Sequence, residues 1–229
     1  TTEPPSVPVI PEGGGVWIAG EGGVTLFTPP GTYTSIAVGS IAAADMVVSD
    51  YAGGYVTQVG NELFWFRADG SDPSPIEIGA DGMRMTLMDV ADIDGETWVI
   101  VVVRSGAEEN ARESVRLAAL GTGVVRQITD VGAGEGGMSR VSYGGGVFAL
   151  TFLSEGESWI EYVDIDGNPI DVFPNPKPYE QWGPPYVDQA VLSPDGKLLA
   201  FLSADSNLTY DPSVTTELVV WDVEVVGNI

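Results

Sequence analysis

An all-β chain of repeated four-stranded antiparallel units is what this sequence predicts, on three observations. Short segments rich in β-branched and aromatic residues recur along it. Gly-rich or Asp-Gly turns cut them apart, as hairpins require. An intensely apolar, glycine-led strand returns at Trp17, Tyr55, Trp98, Phe148 and Leu199. The returns are about 40 to 50 residues apart, the period of a β-propeller blade. No blade covers its own apolar face, so neighbours must stack around an axis. The predicted fold class is therefore a β-propeller with about five blades visible.

The elements follow in order. Residues 1–13, Thr1-Thr2-Glu3-Pro4-Pro5-Ser6-Val7-Pro8-Val9-Ile10-Pro11 and onward, read as an extended Pro-rich linker, and 14–229 as the propeller domain. Strand-like runs are Val16–Ala19, Val24–Phe27, Met46–Ser49, Tyr55–Val59 and Leu63–Phe66. The third repeat is the clearest: Met83–Asp92 as strand A, the Asp94-Gly95 turn, Thr97–Val103 as B, Val115–Leu120 as C, Gly121–Gly123, and Val124–Thr129 as D. Ala107–Leu120 has helical spacing too, but flanking glycines favour a turn at Ala107–Arg112 and then a strand. The fourth repeat runs Ser139–Tyr143, Val147–Leu153, Trp159–Asp164 and Pro169–Phe173. The fifth has Gln189–Leu192, Leu198–Leu202 and Glu217–Asp222. The first repeat reads as lacking strand A, and the last has little sequence for strand D beyond Val225–Ile229. Either the two ends complete one blade, or the chain is part of a longer propeller.

Leu192-Ser193-Pro194-Asp195-Gly196-Lys197-Leu198-Leu199-Ala200-Phe201-Leu202-Ser203 resembles the signature of TolB-type, WD-like propeller repeats. Val219-Val220-Trp221-Asp222 is similar to the apolar-Trp-Asp end of strand C in such blades, and Leu120–Thr129 to their C–D hairpin. The resemblance implies a propeller and a binding or scaffold role.

Composition narrows the chemistry. With no His and no Cys, the chain has no Ser-His-Asp triad, thiol nucleophile, zinc finger or iron–sulfur cluster of its own. A metal held by side chains would sit on oxygen ligands, which means calcium or magnesium. The formal net charge of −24 repels phosphates, so nucleic acid is excluded as a partner and anionic membranes are disfavoured. The longest apolar run, Trp98–Val103, is far shorter than the ~20 residues of a spanning helix. The Pro-rich start fits a tether after a removed signal or lipid anchor, so the protein is expected outside the cytoplasm as a secreted, periplasmic or surface-anchored chain.

Loop lengths point to one end. In four-stranded meanders the A–B and C–D turns share one rim and the B–C and D–A connections the other. The longest segments, 105–113, 174–187 and 204–216, all fall on the second, and long connections in a compact domain are the usual carriers of function. The prolines of 174–187 hold Tyr179, Trp182 and Tyr186 in a stiff loop beside Glu180, an aromatic platform suited to a carbohydrate or protein partner. Asp205 and Asp211 lie on the same rim. The bland alternative makes Trp182 a plug between blades. Asp164, Asp166 and Asn168 place oxygens at alternate positions as calcium loops do, yet without the full spacing, and an Asx-capped hairpin explains them more simply. Two further functions stay open. A glycoside hydrolase-like enzyme would use paired acids among Glu180, Asp188, Asp205 and Asp211. Otherwise the chain would be the propeller of a larger peptidase or receptor. Neither needs a cofactor the sequence displays.

Overall fold

In a computed structural model, the structure describes residues 16–20, 23–28, 32–36, 46–49, 54–67, 74–80, 82–106, 111–131, 137–154, 157–170, 186–204 and 217–222. Every regular element among them is a β-strand, and the strands form five antiparallel sheets of three or four strands. The first sheet holds β1 (Val16–Gly20), β2 (Gly23–Thr28) and β3 (Thr32–Ile36). The second holds β4 (Met46–Ser49), β5 (Tyr55–Val59), β6 (Glu62–Phe66) and β7 (Ser74–Pro75). The third holds β8 (Arg84–Ile93), β9 (Glu96–Ser105), β10 (Arg112–Ala119) and β11 (Val125–Val131). The fourth is β12 (Gly137–Gly144), β13 (Val147–Ser154) and β14 (Glu157–Asp164), and the fifth β15 (Tyr186–Leu192), β16 (Leu198–Ala204) and β17 (Glu217–Asp222). Each sheet is a simple meander in sequence order.

These strands form where they do for legible reasons. Both faces of β9 are buried between Trp98 and Val103, so that strand is continuously apolar instead of alternating. The β8–β9 hairpin turns on Asp94 (φ 56°) and Gly95 (φ 79°). Positive φ at both positions is the turn whose twist matches the strands it joins, and the Asp92 carboxylate accepts the Gly95 amide at 2.9 Å. Of Ala107–Leu120, the residues from Arg112 to Ala119 form a strand, which starts earlier than the expected Val115, and 107–110 lie outside the described residues.

The chain divides into two compact units: 1–103 with 116–126, and 104–115 with 127–229. Within the first unit, β1 lies against β4 and β4 against β8. The first sheet's opening strand thus stands where the other sheets have theirs, and that sheet holds its first three strands where the sequence suggests a missing strand A. The core of this unit gathers Val56, Leu63, Leu87, Val90, Val99, Val101 and Ala118, with Trp65 packed on its edge. Side chains supply a second bond between sheets. The backbone of β8, an edge strand, meets two amides from the β5–β6 hairpin. Gln58 Nε2 donates to Met85 O and Gln58 Oε1 accepts from Leu87 N, both at 2.7 Å. Asn61 Nδ2 donates to Met83 O at 2.6 Å and Asn61 Oδ1 accepts from Met85 N at 2.8 Å. Two carboxamides thereby do for β8 what a neighbouring strand would do.

In the second unit β12 lies against β15. Ala149, Ile160 and Tyr162 of the fourth sheet share a cluster with Ala190, Leu192, Leu199 and Phe201 of the fifth. Buried Ser142 accepts the Leu192 amide at 3.0 Å. Pro169 makes a single bridge to Val163, which is what the described residues retain of the expected Pro169–Phe173 strand.

Candidate functional site

Of the expected rim residues, Tyr179, Glu180, Trp182, Asp205 and Asp211 lie outside the described residues, as do the linker 1–13 and residues 107–110, 174–185 and 205–216 of the three long loops. Tyr186 opens β15, where its backbone pairs with Ala204 at the end of β16. The residue that follows one long connection and the residue that precedes the other, one on each strand of this hairpin, are thus brought side by side.

The strand ends that anchor the 105–113 loop are described, and they are held by charge. Arg112 Nε stands 3.0 Å from Asp130 Oδ1, and Arg104 Nη1 3.9 Å from Glu113 Oε1. The Arg112–Asp130 pair is exposed, and pairs of that kind stabilise by a few tenths of a kcal/mol to about 1 kcal/mol. Glu113 does more, because its second oxygen accepts the Met138 amide at 2.6 Å. One carboxylate thus ties the foot of the loop to the start of β12.

Short connections occur at both ends of the meanders. Gly60-Asn61 between β5 and β6 and the two residues between β13 and β14 are tight B–C turns. The connections before β15 and between β16 and β17 are long and leave from the D–A and B–C side as expected, but the B–C connection 106–111 is shorter than the C–D connection 67–73 on the other side.

At the opposite end the second unit is closed by backbone packing. The β12–β13 turn abuts the β15–β16 turn: Gly145 N donates to Pro194 O at 3.1 Å. A Cβ on Gly145 would stand 2.7 Å from Asp195 O, and one on Gly144 would run into Ser193 O. Neither position has room for a side chain. The β15–β16 turn is itself wired internally. Ser193 Oγ donates to Asp195 Oδ1 at 2.6 Å and accepts from Leu198 N at 2.9 Å. The Ser193 hydroxyl, then the Lys197 amide, hold the Asp195 carboxyl below the usual carboxylate range.

Asp164, Asp166 and Asn168 form the turn after β14. Asp164 Oδ1 accepts from the amides of Asp166 (2.9 Å) and Asn168 (2.8 Å), and Oδ2 from Asn168 Nδ2 (2.8 Å). The Asn168 side chain, then its backbone amide, pull the Asp164 carboxyl downward. Both oxygens face N–H donors, the geometry of a capped hairpin. Among the described residues, no group of three or more His, Cys, Asp or Glu is placed to hold a metal ion.

A recess of about 580 Å³ in the first unit escapes sequence reasoning altogether. Leu63, Ile78 and Met85 give it an apolar floor, and Asn61, Glu62 and Glu77 a polar mouth. Arg116 clamps its far wall by donating to Gly79 O at 2.6 Å. Its walls are drawn from β6, β7 and the segment after β7, which no local pattern brings together.

No protein-family model matches this chain, and no curated protein matches it. Solved structures do. Regucalcin from Agrobacterium tumefaciens, a calcium-binding protein, is similar over 91% of this chain and 73% of its own, with 18% identity and a TM-score of 0.58. Oligogalacturonate lyase from Vibrio parahaemolyticus is similar over 92% of this chain and 59% of its own, with 12% identity and a TM-score of 0.58. The Dos1 propeller matches over 87% of this chain and 50% of its own, with 12% identity and a TM-score of 0.52. The fold is a β-propeller. At such identities the likeness carries fold and no function, since propellers host many unrelated activities. The chain spans about half the length of several propellers that it matches, including the Dos1 propeller at 50% and an oligogalacturonate lyase in complex with manganese at 54%. Among the described residues, no helix is long and apolar enough to cross a membrane.

Proposed function

We propose that this propeller is a non-catalytic binding or scaffold module that works outside the cytoplasm. It presents the 105–113, 174–187 and 204–216 loops to a protein or carbohydrate partner, with Tyr179, Trp182 and Tyr186 as contact surfaces and Glu180, Asp205 and Asp211 as polar ones. The observation that carries this reading is the contrast between the two ends of the meander. The turns of the second unit close backbone on backbone at Gly144–Gly145 and Ser193–Gly196, which leaves the other end to vary.

The test is a screen of the intact chain against glycan and protein arrays, repeated with Tyr179→Ala and Trp182→Ala. Loss of binding at an unchanged melting temperature supports the reading. A large fall in melting temperature with binding retained makes Trp182 an inter-blade plug and removes the aromatic platform. Cleavage of any glycan in the screen replaces the module by an enzyme.

A further inference from the structure

The fourth sheet carries two buried polar atoms that its own fold leaves without a partner: the hydroxyl of Thr151 and Nε of Arg140. Thr151 is fully buried, at 0% exposure, whereas Arg140 is half-buried. They are direct cross-strand partners in the β12–β13 ladder, so their side chains leave the sheet on one face, with Cβ atoms about 5 Å apart. The same ladder pairs Ser142 with Ala149 one step further along that face, and there Ser142 accepts a hydrogen bond from Leu192 N of the fifth sheet. The face is therefore the one covered by β15 and β16. Arg140 reaches it through a bulge, since the register shifts between Met138 and Arg140 and drops Ser139 from the ladder. A bulge re-aims the side chain that follows it and is common beside binding sites. The Ser139 hydroxyl reaches only the Thr151 carbonyl, at 3.5 Å.

Buried donors without partners are rare in native proteins and cost free energy when left so. A guanidinium can only donate, and a threonine hydroxyl can donate as well. The occupant that satisfies both must bring acceptor lone pairs, and negative charge makes each bond shorter and stronger. Arg140 takes part in none of the ion pairs among the described residues, so its charge is not already spent on one of them. We propose that Arg140 and Thr151 form a binding site for a small oxyanion group, a carboxylate or a phosphate, entering between the fourth and fifth sheets beside β12. The site does not depend on the loop end having a partner.

Thermal unfolding of the intact chain in rising sodium phosphate or sodium acetate, against sodium chloride at matched ionic strength, tests the proposal. The melting temperature is expected to rise with at least one oxyanion. In Arg140→Met the apparent affinity falls at least about tenfold, and Thr151→Val weakens it as well, whereas Arg140→Lys retains part of it. Because Arg140→Met could also unfold the sheet, the Nε–Hε resonance of Arg140 in the wild-type chain supplies a second reading and is expected to shift on titration. The two salts separate an inorganic phosphate site from one that takes an organic carboxylate. The proposal is overturned if wild type and variants respond equally to both salts. It is equally overturned if the Nε–Hε resonance stays fixed in both, which would leave the two donors to ordered water or to a carboxylate of the chain itself.

Discussion

Replacing Gln58 with leucine probes how the first two complete sheets are joined. The side chain is 7% exposed, and its amide bonds Met85 O and Leu87 N across to β8 and Gly60 O within its own hairpin, each at 2.7 Å. Leucine fills a similar volume but leaves the Leu87 N–H and the Met85 carbonyl of β8 facing an apolar group. An orphaned buried main-chain group costs about 1–3 kcal/mol. Two of them give about 2–6 kcal/mol, less about 1 kcal/mol regained from the apolar side chain. The expected loss is therefore about 3 kcal/mol, a large part of the 5–15 kcal/mol by which domains are stable. In urea, with a slope of roughly 3 kcal/mol/M, the midpoint should fall by about 1 M. Hydrogen exchange supplies a local check, because the Leu87 amide should lose protection beyond the global change. A midpoint shift under about 0.3 M, with Leu87 exchange unaltered, refutes the view that these amides substitute for a strand.

Other expectations follow from the same geometry. Gly145→Ala should cost at least about 1–3 kcal/mol more than Gly146→Ala. Both glycines have positive φ (59° and 85°), but only Gly145 meets backbone within 4 Å, and chemical unfolding of the two variants reads the difference. Ser142→Ala should lose about 1–3 kcal/mol by stranding the Leu192 amide, as measured by thermal melting. The Asp164 carboxyl titrates below its unfolded value of ~3.9. The stability it gives is present above that value and is lost as pH falls through the lower folded one. Asp164→Ala should accordingly melt earlier than wild type at neutral pH, with the gap closing below about pH 4; a gap independent of pH would refute the linkage.

The strands are legible in the sequence where both faces are buried, as in Trp98–Val103, or where an Asp-Gly or Gly-Gly pair marks a hairpin. Thr32–Ile36 escapes because Thr-Tyr-Thr-Ser-Ile follows two prolines and has little apolar periodicity, and Ser74–Pro75 because it is a two-residue edge with both residues exposed. The Asp164 turn is readable as a local hydrogen-bond pattern, since all its partners lie within four residues. Long-range polar bonds are not: Gln58 meets residues 27 and 29 positions away. The pairing of Arg140 with Thr151 is hidden for a different reason. The bulge at Ser139 changes the parity of the strand, so simple alternation from Gly137 puts Arg140 on the wrong face.

The glycine seam between the β12–β13 and β15–β16 turns sets what this propeller can become. Main chain resting on main chain has no rotamers to readjust, so the seam cannot absorb an inserted residue or a larger one without parting. Sequence drift and laboratory grafting are both pushed away from it. New specificities on this scaffold should therefore be installed in the 205–216 segment, with 192–198 kept unaltered as the keel.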